Sequence, residues 1–177
     1  AIREQSGRVR KLERASGSLR RVSSWHTGQV AATFVLASGS PRRRQLLETL
    51  DATFDVCAPG IDETVLQGEA PTAYVRRIAE LKATAVRAIR DDLPVLAADT
   101  CVVLDGEILG KPRDLDDAAA TLRRLAGRSH WTTTGVAVVG DQSASVIDVR
   151  TEVTFVDLDD ATIEWYVATG EPLDKAG

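Results

Sequence analysis

The chain has 177 residues, 44% of them hydrophobic and 27% charged, a composition that predicts one soluble globular domain. No apolar run approaches the roughly 18 residues that span a bilayer, so we expect no membrane contact. Two cysteines, Cys57 and Cys101, lack metal-ligand spacing and are too few for a disulfide framework, which makes a reducing cytoplasm the expected location.

Charge is distributed unevenly along the chain. Residues 1–33 hold seven Lys and Arg and two acids, a net charge of +5; the whole chain carries −4, so residues 34–177 carry −9. An acidic body argues against nucleic-acid binding by the domain itself. Residues 1–33 are rich in Arg, Ser and Gly without sustained periodicity, which predicts a basic, disordered extension. A transit peptide and an arm that contacts RNA or a membrane are the alternatives.

Strands and helices alternate after this extension, which predicts an α/β domain over residues 34–177. Turn and cap signals set several boundaries: Ser40 precedes Pro41 as an N-cap, Asp105-Gly106 indicates a hairpin, and Asp159 caps the last helix. The predicted strands are 33–37, 54–57, 95–104, 108–109, 131–139 and 145–156, and the predicted helices are 41–50, 71–90, 115–126 and 159–170.

The first candidate site is the strand–turn–helix around residues 36–44. Backbone amides at a helix N-terminus attract anions, and Ser38 and Ser40 add hydroxyl donors. Arg42 and Arg43 bring guanidinium groups that can each fork onto phosphate oxygens. These features indicate a phosphate site; a capped surface helix with solvated arginines is the alternative.

The second candidate is Asp99, which interrupts the apolar strand 95–104. A buried carboxylate is costly unless it is paired or binds a metal. Asp99 is therefore either a metal ligand or general base at the end of a core strand, or a strand-end residue that caps a neighbouring loop.

Two lysines and an acidic pair complete the candidates. Lys82 falls in the middle of the apolar stripe of the second helix, which is formed by Val75, Ile78, Val86 and Ile89. Lys82 either extends past its neighbours to water or points into a cleft and meets phosphate or a carboxylate. Lys111, in a rigid Gly-Lys-Pro turn, presents a similar ammonium. Asp62 and Glu63 lie on a loop and, with Asp99, would suit Mg²⁺ or Mn²⁺; a solvated acidic loop is the alternative.

Other nucleophile schemes find no support in the sequence. His26 and His130 lie in unrelated contexts, and Gly-x-Ser-x-Gly, Walker A and His-Glu-x-x-His patterns are absent from the sequence. Phosphate donors combined with carboxylates fit metal-assisted phosphoanhydride hydrolysis better than acyl transfer.

These residues also resemble a known family. Leu36-Ala-Ser-Gly-Ser-Pro-Arg-Arg43 is similar to the opening signature of the Maf-like proteins. The resemblance covers about residues 34–177 and implies an ITPase-like α/β fold, a mixed sheet with flanking helices and two lobes around a cleft. It continues through Asp62-Glu63, Tyr74-Val75, Lys82-Ala83, Ala98-Asp99-Thr100, Gly110-Lys-Pro-Arg113, Thr134-Gly135-Val136, Thr151-Glu152-Val153-Thr154-Phe155 and Glu171-Pro-Leu-Asp-Lys-Ala-Gly177.

The resemblance implies hydrolysis of a nucleoside triphosphate to the monophosphate and pyrophosphate, assisted by a divalent metal such as Mg²⁺ or Mn²⁺. By position, Asp99 would be the proton acceptor, Glu63 would help with metal or water, and Asp99 and Glu63 would be the metal ligands. Lys82 would also stabilise charge that develops during hydrolysis. The residues expected to hold the phosphates are Ser38, Arg42, Arg43, Lys82 and Lys111.

Substrate choice also follows from the resemblance. Members with Ala-Asp-Thr resemble the dTTP/UTP subgroup, whereas members that act on 7-methyl-GTP tend to have Asp-Gln. Thr100 therefore favours dTTP and UTP, with Arg42 at a further specificity position. A 7-methyl-GTP pyrophosphatase and a non-catalytic, nucleotide-binding regulator of septum formation are the alternatives, and the resemblance allows a homodimer.

Two features depart from the family pattern. The family lacks the basic extension of residues 1–33, and its members continue past Lys-Ala-Gly into Ala-Tyr-Gly-Ile-Gln-Gly. A chain that stops at Gly177 is expected to lack the C-terminal part of the fold and the Gln that helps to choose the base. We therefore expect exposed apolar surface near the C-terminus.

Overall fold

The computed structural model describes residues 31–175, and the predicted basic extension lies almost entirely outside them. The described chain forms one mixed sheet with helices. The strands are β1 (Phe34–Leu36), β2 (Phe54–Val56), β3 (Val95–Leu104), β4 (Glu107–Leu109), β5 (Ser129–Val139) and β6 (Ala144–Thr154). The α-helices are α1 (Pro41–Glu48), α2 (Pro71–Arg87), α3 (Leu115–Leu125) and α4 (Asp160–Ala168), followed by a 3₁₀ turn, Glu171–Asp174.

The predicted α/β architecture is confirmed, with one error in the apolar stripe of α2. Ile89 was expected on the buried face, but it is 71% exposed because the helix ends at Arg87. The Arg87 guanidinium donates to the carbonyl oxygens of Arg90 and Leu93 at 3.3 and 3.0 Å, which stabilises the turn that follows the helix. The stripe therefore ends at Val86.

β3 is the central strand, and its two edges are paired differently. Along one edge, β5 runs antiparallel to β3 over residues 95–103. On the other edge, β1 runs parallel to the start of β3, whereas β4 pairs with its end as the second strand of the Asp105-Gly106 hairpin. Among the described residues, the stretch 97–101 of β3 pairs only with β5. The sheet therefore forks beside Asp99, and we call this opening the fork.

The main core lies between the sheet and α2. Alternation along β3 directs residues 95, 97, 99 and 101 to the same, buried face. The apolar stripe of α2 covers this face. The fully buried members of this cluster are Val35, Ala37, Ala79, Ala83, Val86, Val95, Ala97 and Ala137. A polar side chain on this face of β3 or α2 is therefore held away from bulk water.

Apolar surface is exposed near the end of the described chain, as expected. Trp165 on α4 is 69% exposed and Leu173 in the 3₁₀ turn is 40% exposed. None of the helices in residues 31–175 has the length and apolar character to cross a membrane.

Gly135 in β5 allows α2 to lie directly on the sheet. A Cβ at this position would stand 2.4 Å from the Val75 carbonyl oxygen and 2.9 Å from the Arg76 nitrogen, closer than real Cβ contacts. Because both atoms belong to backbone, a rotamer change cannot relieve the clash. We expect Gly135→Ala to lower the free energy of unfolding by about 1–3 kcal/mol, measured by urea denaturation.

A matched control lies at the end of the same strand. A Cβ on Gly140 would meet its nearest neighbour, the Ser143 hydroxyl oxygen, at 3.6 Å, an ordinary contact. The urea midpoint of Gly140→Ala should therefore equal that of the wild-type protein. Equal midpoints for the two variants would contradict the close-approach argument for Gly135.

Candidate active site

The β1–α1 turn brings Ser38 and Arg43 together. Ser38 is 5% exposed, and its hydroxyl oxygen accepts the Ser40 backbone N–H and Arg43 Nη1, both at 3.2 Å. The predicted N-cap position of Ser40, with Pro41 as the first helical residue, is confirmed, although the Ser40 side chain makes no capping hydrogen bond. Ser38 instead organises the turn, and Arg43 folds back towards the fork while Arg42 stays exposed.

Lys82, Asp99 and Glu63 form the centre of the site. Lys82 is 7% exposed and Asp99 5%, so Lys82 does not extend to water. Its Nζ lies 2.7 Å from Asp99 Oδ1 and 3.0 Å from Glu63 Oε1. The Glu63 side chain is 46% exposed, which places the buried pair at the inner end and Glu63 at the solvent side. We call these three residues the acid–lysine cluster.

Burial makes Asp99 more basic than an ordinary aspartate. Loss of solvent is the largest influence and raises the pKa of the Asp99 carboxyl, and the Glu63 carboxylate raises it further. The hydrogen bond and charge of Lys82 oppose this rise, as does the charge of Arg43. Asp99 is therefore a carboxylate with increased affinity for a proton, held in place by an ammonium.

Arg43 joins the β1–α1 turn to the central strand. Its Nη2 donates to Thr100 Oγ1 at 3.4 Å, and Thr100 Oγ1 lies 3.0 Å from Thr134 Oγ1. Burial lowers the pKa of the Arg43 guanidinium, and the Asp99 and Glu63 carboxylates oppose that shift. Two cationic groups, on Arg43 and Lys82, thus accompany two carboxylates at the fork.

Three other predicted residues are not members of the acid–lysine cluster. The Asp62 carboxylate accepts the Thr64 N–H at 2.9 Å and the Thr64 hydroxyl at 2.6 Å, so it organises its own turn. Lys111 is exposed and follows β4. Arg42 is exposed, and its charge is the smallest of the influences on the pKa of Glu171, which is lowered mainly by the hydrogen bond from Lys175 and then by the charge of Lys175.

His130, which the sequence gives no catalytic role, is a buried packing residue. His130 is 4% exposed, and its ring meets Phe155 edge-on with centroids 4.9 Å apart. Burial lowers the pKa of its imidazole, which favours the neutral form. His26 lies outside the described residues.

Two side chains, Tyr74 and Thr134, lie in segments that carry the family resemblance but have no role predicted from the sequence. The Tyr74 hydroxyl donates to the Glu63 carbonyl oxygen at 3.1 Å, and burial first, then nearby carboxylates, raises the pKa of Tyr74 to about 12. Thr134 supports Thr100 from the neighbouring strand. A signal for Thr134 was present, because three threonines interrupt an otherwise apolar strand at residues 132–134.

The donor set of the cluster fits a hard divalent cation. Carboxylate oxygens of Asp99 and Glu63 already converge on one cation, the Lys82 ammonium. Mg²⁺ commonly uses one or two carboxylates and completes its shell with water and substrate phosphates. The described residues contain no group of three or more His, Cys, Asp or Glu side chains placed for a metal, so a closed protein cage is not formed within them.

The fold and site together define an α/β protein with paired carboxylates and cationic side chains at an interrupted strand edge. The model of the Maf-like protein family matches residues 33–177, and the chain belongs to that family. It is 53% identical over 152 residues to a dTTP/UTP pyrophosphatase of Anaeromyxobacter dehalogenans strain 2CP-1, a match that covers 84% of this chain and 76% of the relative.

Two further relatives carry the same name. The dTTP/UTP pyrophosphatase of Myxococcus xanthus strain DK1622 is 53% identical, with 81% of this chain and 72% of the relative covered. The dTTP/UTP pyrophosphatase of Escherichia coli O6:K15:H31 is 50% identical, with 80% of this chain and 73% of the relative covered. The solved structure of protein VC0702 from Vibrio cholerae aligns with 82% of this chain and 76% of that chain at 12% identity and a TM-score of 0.43.

Proposed function

We propose that this chain is a nucleoside triphosphate pyrophosphatase that hydrolyses dTTP and UTP to the monophosphate and pyrophosphate. One observation carries the proposal: Lys82 holds Asp99 and Glu63 together at the fork, beside Ser38 and Arg43. Phosphoanhydride hydrolysis needs cations for the phosphates and a carboxylate for the water, and this arrangement offers both. The names of the relatives support the same activity.

In this proposal the cationic groups bind the triphosphate. Arg43 and Ser38 lie at the N-terminus of α1, where unpaired backbone amides add to the attraction for an anion. Lys82 offers an ammonium at the inner end of the cluster and stabilises negative charge that develops during hydrolysis. Arg42 and Lys111, both exposed, are the remaining phosphate-binding candidates from the sequence.

Asp99 and Glu63 would hold a divalent metal, Mg²⁺ or Mn²⁺. When bound, such an ion neutralises charge on phosphate oxygens. Asp99 accepts the proton of the attacking water, for which its raised pKa suits it, because a more basic carboxylate is a better acceptor. Lys82 fixes the orientation of that carboxylate through the 2.7 Å hydrogen bond.

The segment Ala98-Asp99-Thr100 resembles that of the dTTP/UTP subgroup, and this resemblance supports a pyrimidine substrate. The Thr100 hydroxyl lies between Arg43 and Thr134, so the side chain has a fixed orientation at the fork. The alternative substrate, 7-methyl-GTP, is associated with Asp-Gln at this place. A cytoplasmic location and a homodimer stay predictions from the sequence.

A nucleotide panel tests this function. The purified chain is incubated with Mg²⁺ or Mn²⁺ and dTTP, UTP, the other common triphosphates or 7-methyl-GTP, and pyrophosphate release is measured. Release from dTTP and UTP is the expected result. Release from 7-methyl-GTP alone would overturn the substrate, and nucleotide binding without any release would favour the non-catalytic regulator.

A further inference from the structure

The loop that carries Glu63 has no regular secondary structure, yet α2 fixes its backbone at two successive residues. Tyr74 donates its hydroxyl to the Glu63 carbonyl oxygen at 3.1 Å. One turn later on the helix, Arg77 Nη2 donates to the Thr64 carbonyl oxygen at 3.0 Å. Because a carbonyl oxygen belongs to the main chain, these bonds fix where the Glu63 side chain begins, whichever rotamer it adopts.

Arg77 is itself fixed by the same loop. Its Nε and Nη2 pair with the two Glu69 carboxylate oxygens at 2.6 and 2.7 Å, and Glu69 also accepts the Leu66 N–H at 3.0 Å. The guanidinium lies 5.7 Å from the centroid of the Tyr74 ring. The Glu69 side chain is only 8% exposed and the Arg77 side chain 27%, so the carboxylate end of this bidentate pair is shielded from solvent. We call Tyr74, Arg77 and Glu69 the loop clamp.

The loop clamp and the acid–lysine cluster use the same helix. Tyr74 and Lys82 are eight residues apart, slightly more than two turns, and both side chains are buried on the sheet side of α2. Tyr74 holds the main chain of Glu63, and Lys82 holds its carboxylate at 3.0 Å. Glu63 is thus attached to one rigid element at both ends, although its side chain is 46% exposed.

We propose that Tyr74, Arg77 and Glu69 are positioning residues, which place the Glu63 carboxylate beside Asp99 so that the two can share a divalent cation. The inference rests on the proposed function, in which Glu63 serves the metal. Without the clamp, the Glu63 backbone would move and its carboxylate would sample positions away from Asp99. Residues that orient a metal ligand affect metal affinity by about 10- to 100-fold, which sets the expected scale.

The test compares Mn²⁺ binding, measured by titration calorimetry, in the full chain and in Tyr74→Phe, Glu63→Gln and the double variant. Tyr74→Phe keeps the buried ring and removes only the hydroxyl. We expect it to weaken Mn²⁺ binding by about 10-fold. In the Glu63→Gln background the same change should have no further effect, because the clamp acts through the Glu63 carboxylate.

The control is Arg76→Gln, also on α2. Arg76 pairs with Asp148 at 2.8 Å on the exposed side of the helix, away from the loop clamp, so Mn²⁺ binding should stay at the wild-type value. Equal weakening by Tyr74→Phe in both backgrounds, or none in either, would overturn the proposal. If Tyr74→Phe fails to fold, Glu69→Gln takes its place in the same comparison with Glu63→Gln. This change removes the carboxylate that pairs with Arg77, the residue that holds the Thr64 carbonyl oxygen.

A second measurement reads the loop directly. The Thr64 and Leu66 amides donate to Asp62 and Glu69, so peptides that cover residues 57–70 should exchange hydrogen faster in Tyr74→Phe and Glu69→Gln than in wild type. Unchanged exchange would count against the clamp. Mn²⁺ binding and exchange can both be measured in a chain that releases no pyrophosphate, so failure of the proposed function and failure of the clamp are distinguishable.

Discussion

Replacing Asp99 with asparagine is expected to lower the rate of pyrophosphate release from UTP by about 10²- to 10⁴-fold. The amide cannot accept the proton of the attacking water, and it removes one of the two carboxylates that converge on Lys82. The measurement is steady-state pyrophosphate release at saturating UTP and Mg²⁺. Because Asp99 acts on the reacting water in this proposal, the loss should appear mainly in kcat.

The fold should survive this change. Lys82 keeps its contact to Glu63 at 3.0 Å, and the asparagine oxygen can still accept from the ammonium. Asp148→Asn is the matched control, since it makes the same chemical change in β6, where Asp148 pairs with Arg76 at the surface. That control should keep wild-type turnover. Full turnover by Asp99→Asn, with the fold confirmed by circular dichroism, would rule out Asp99 as the proton acceptor.

Replacing Lys82 with methionine is expected to cause the largest loss of stability, about 3–5 kcal/mol in the free energy of unfolding. Methionine fills similar space, but the Asp99 side chain, 8% exposed, would lose the ammonium 2.7 Å away and face Glu63 without it. Urea denaturation at neutral pH measures the effect. Turnover should fall as well, because Lys82 orients Asp99 and binds phosphate in the proposed mechanism.

A second substitution separates the charge effect from packing. In Lys82→Met with Asp99→Asn the buried charge is gone, so part of the lost stability should return. Arg76→Met is the surface control. The Arg76 side chain is 46% exposed and that of its partner Asp148 is 27% exposed, so we expect the free energy of unfolding to change by no more than about 1 kcal/mol. A Lys82→Met chain as stable as wild type would show that Asp99 is not held as a buried ion.

The candidate site was visible in the sequence as isolated anomalies. Lys82 stood inside an apolar stripe and Asp99 inside an apolar strand, and both exceptions proved to be members of one cluster. Their pairing could not be derived from local pattern, because it depends on how α2 packs on β3. The same holds for Gly135, where a side chain is excluded only because α2 packs directly against this residue.

Elements with local signals were predicted well, and their ends less well. The Asp105-Gly106 turn and the Asp159 cap are confirmed, since each depends on neighbouring residues alone: Asp159 accepts the Thr162 N–H at 2.8 Å. Ile89 was misplaced because helical spacing continues in the sequence after the helix itself has ended. The contact of Tyr74 with a loop carbonyl lacks any sequence signature.

The fork has a consequence for the peptide groups of β3. Because no strand of the described residues pairs with 97–101 on this edge, alternate residues of the stretch leave their main-chain N–H and C=O groups outside a ladder. Such groups must be satisfied by water or by whatever enters. The strand that carries Asp99 therefore presents a row of backbone donors and acceptors next to it, whose order is set by the main chain and is preserved when side chains change.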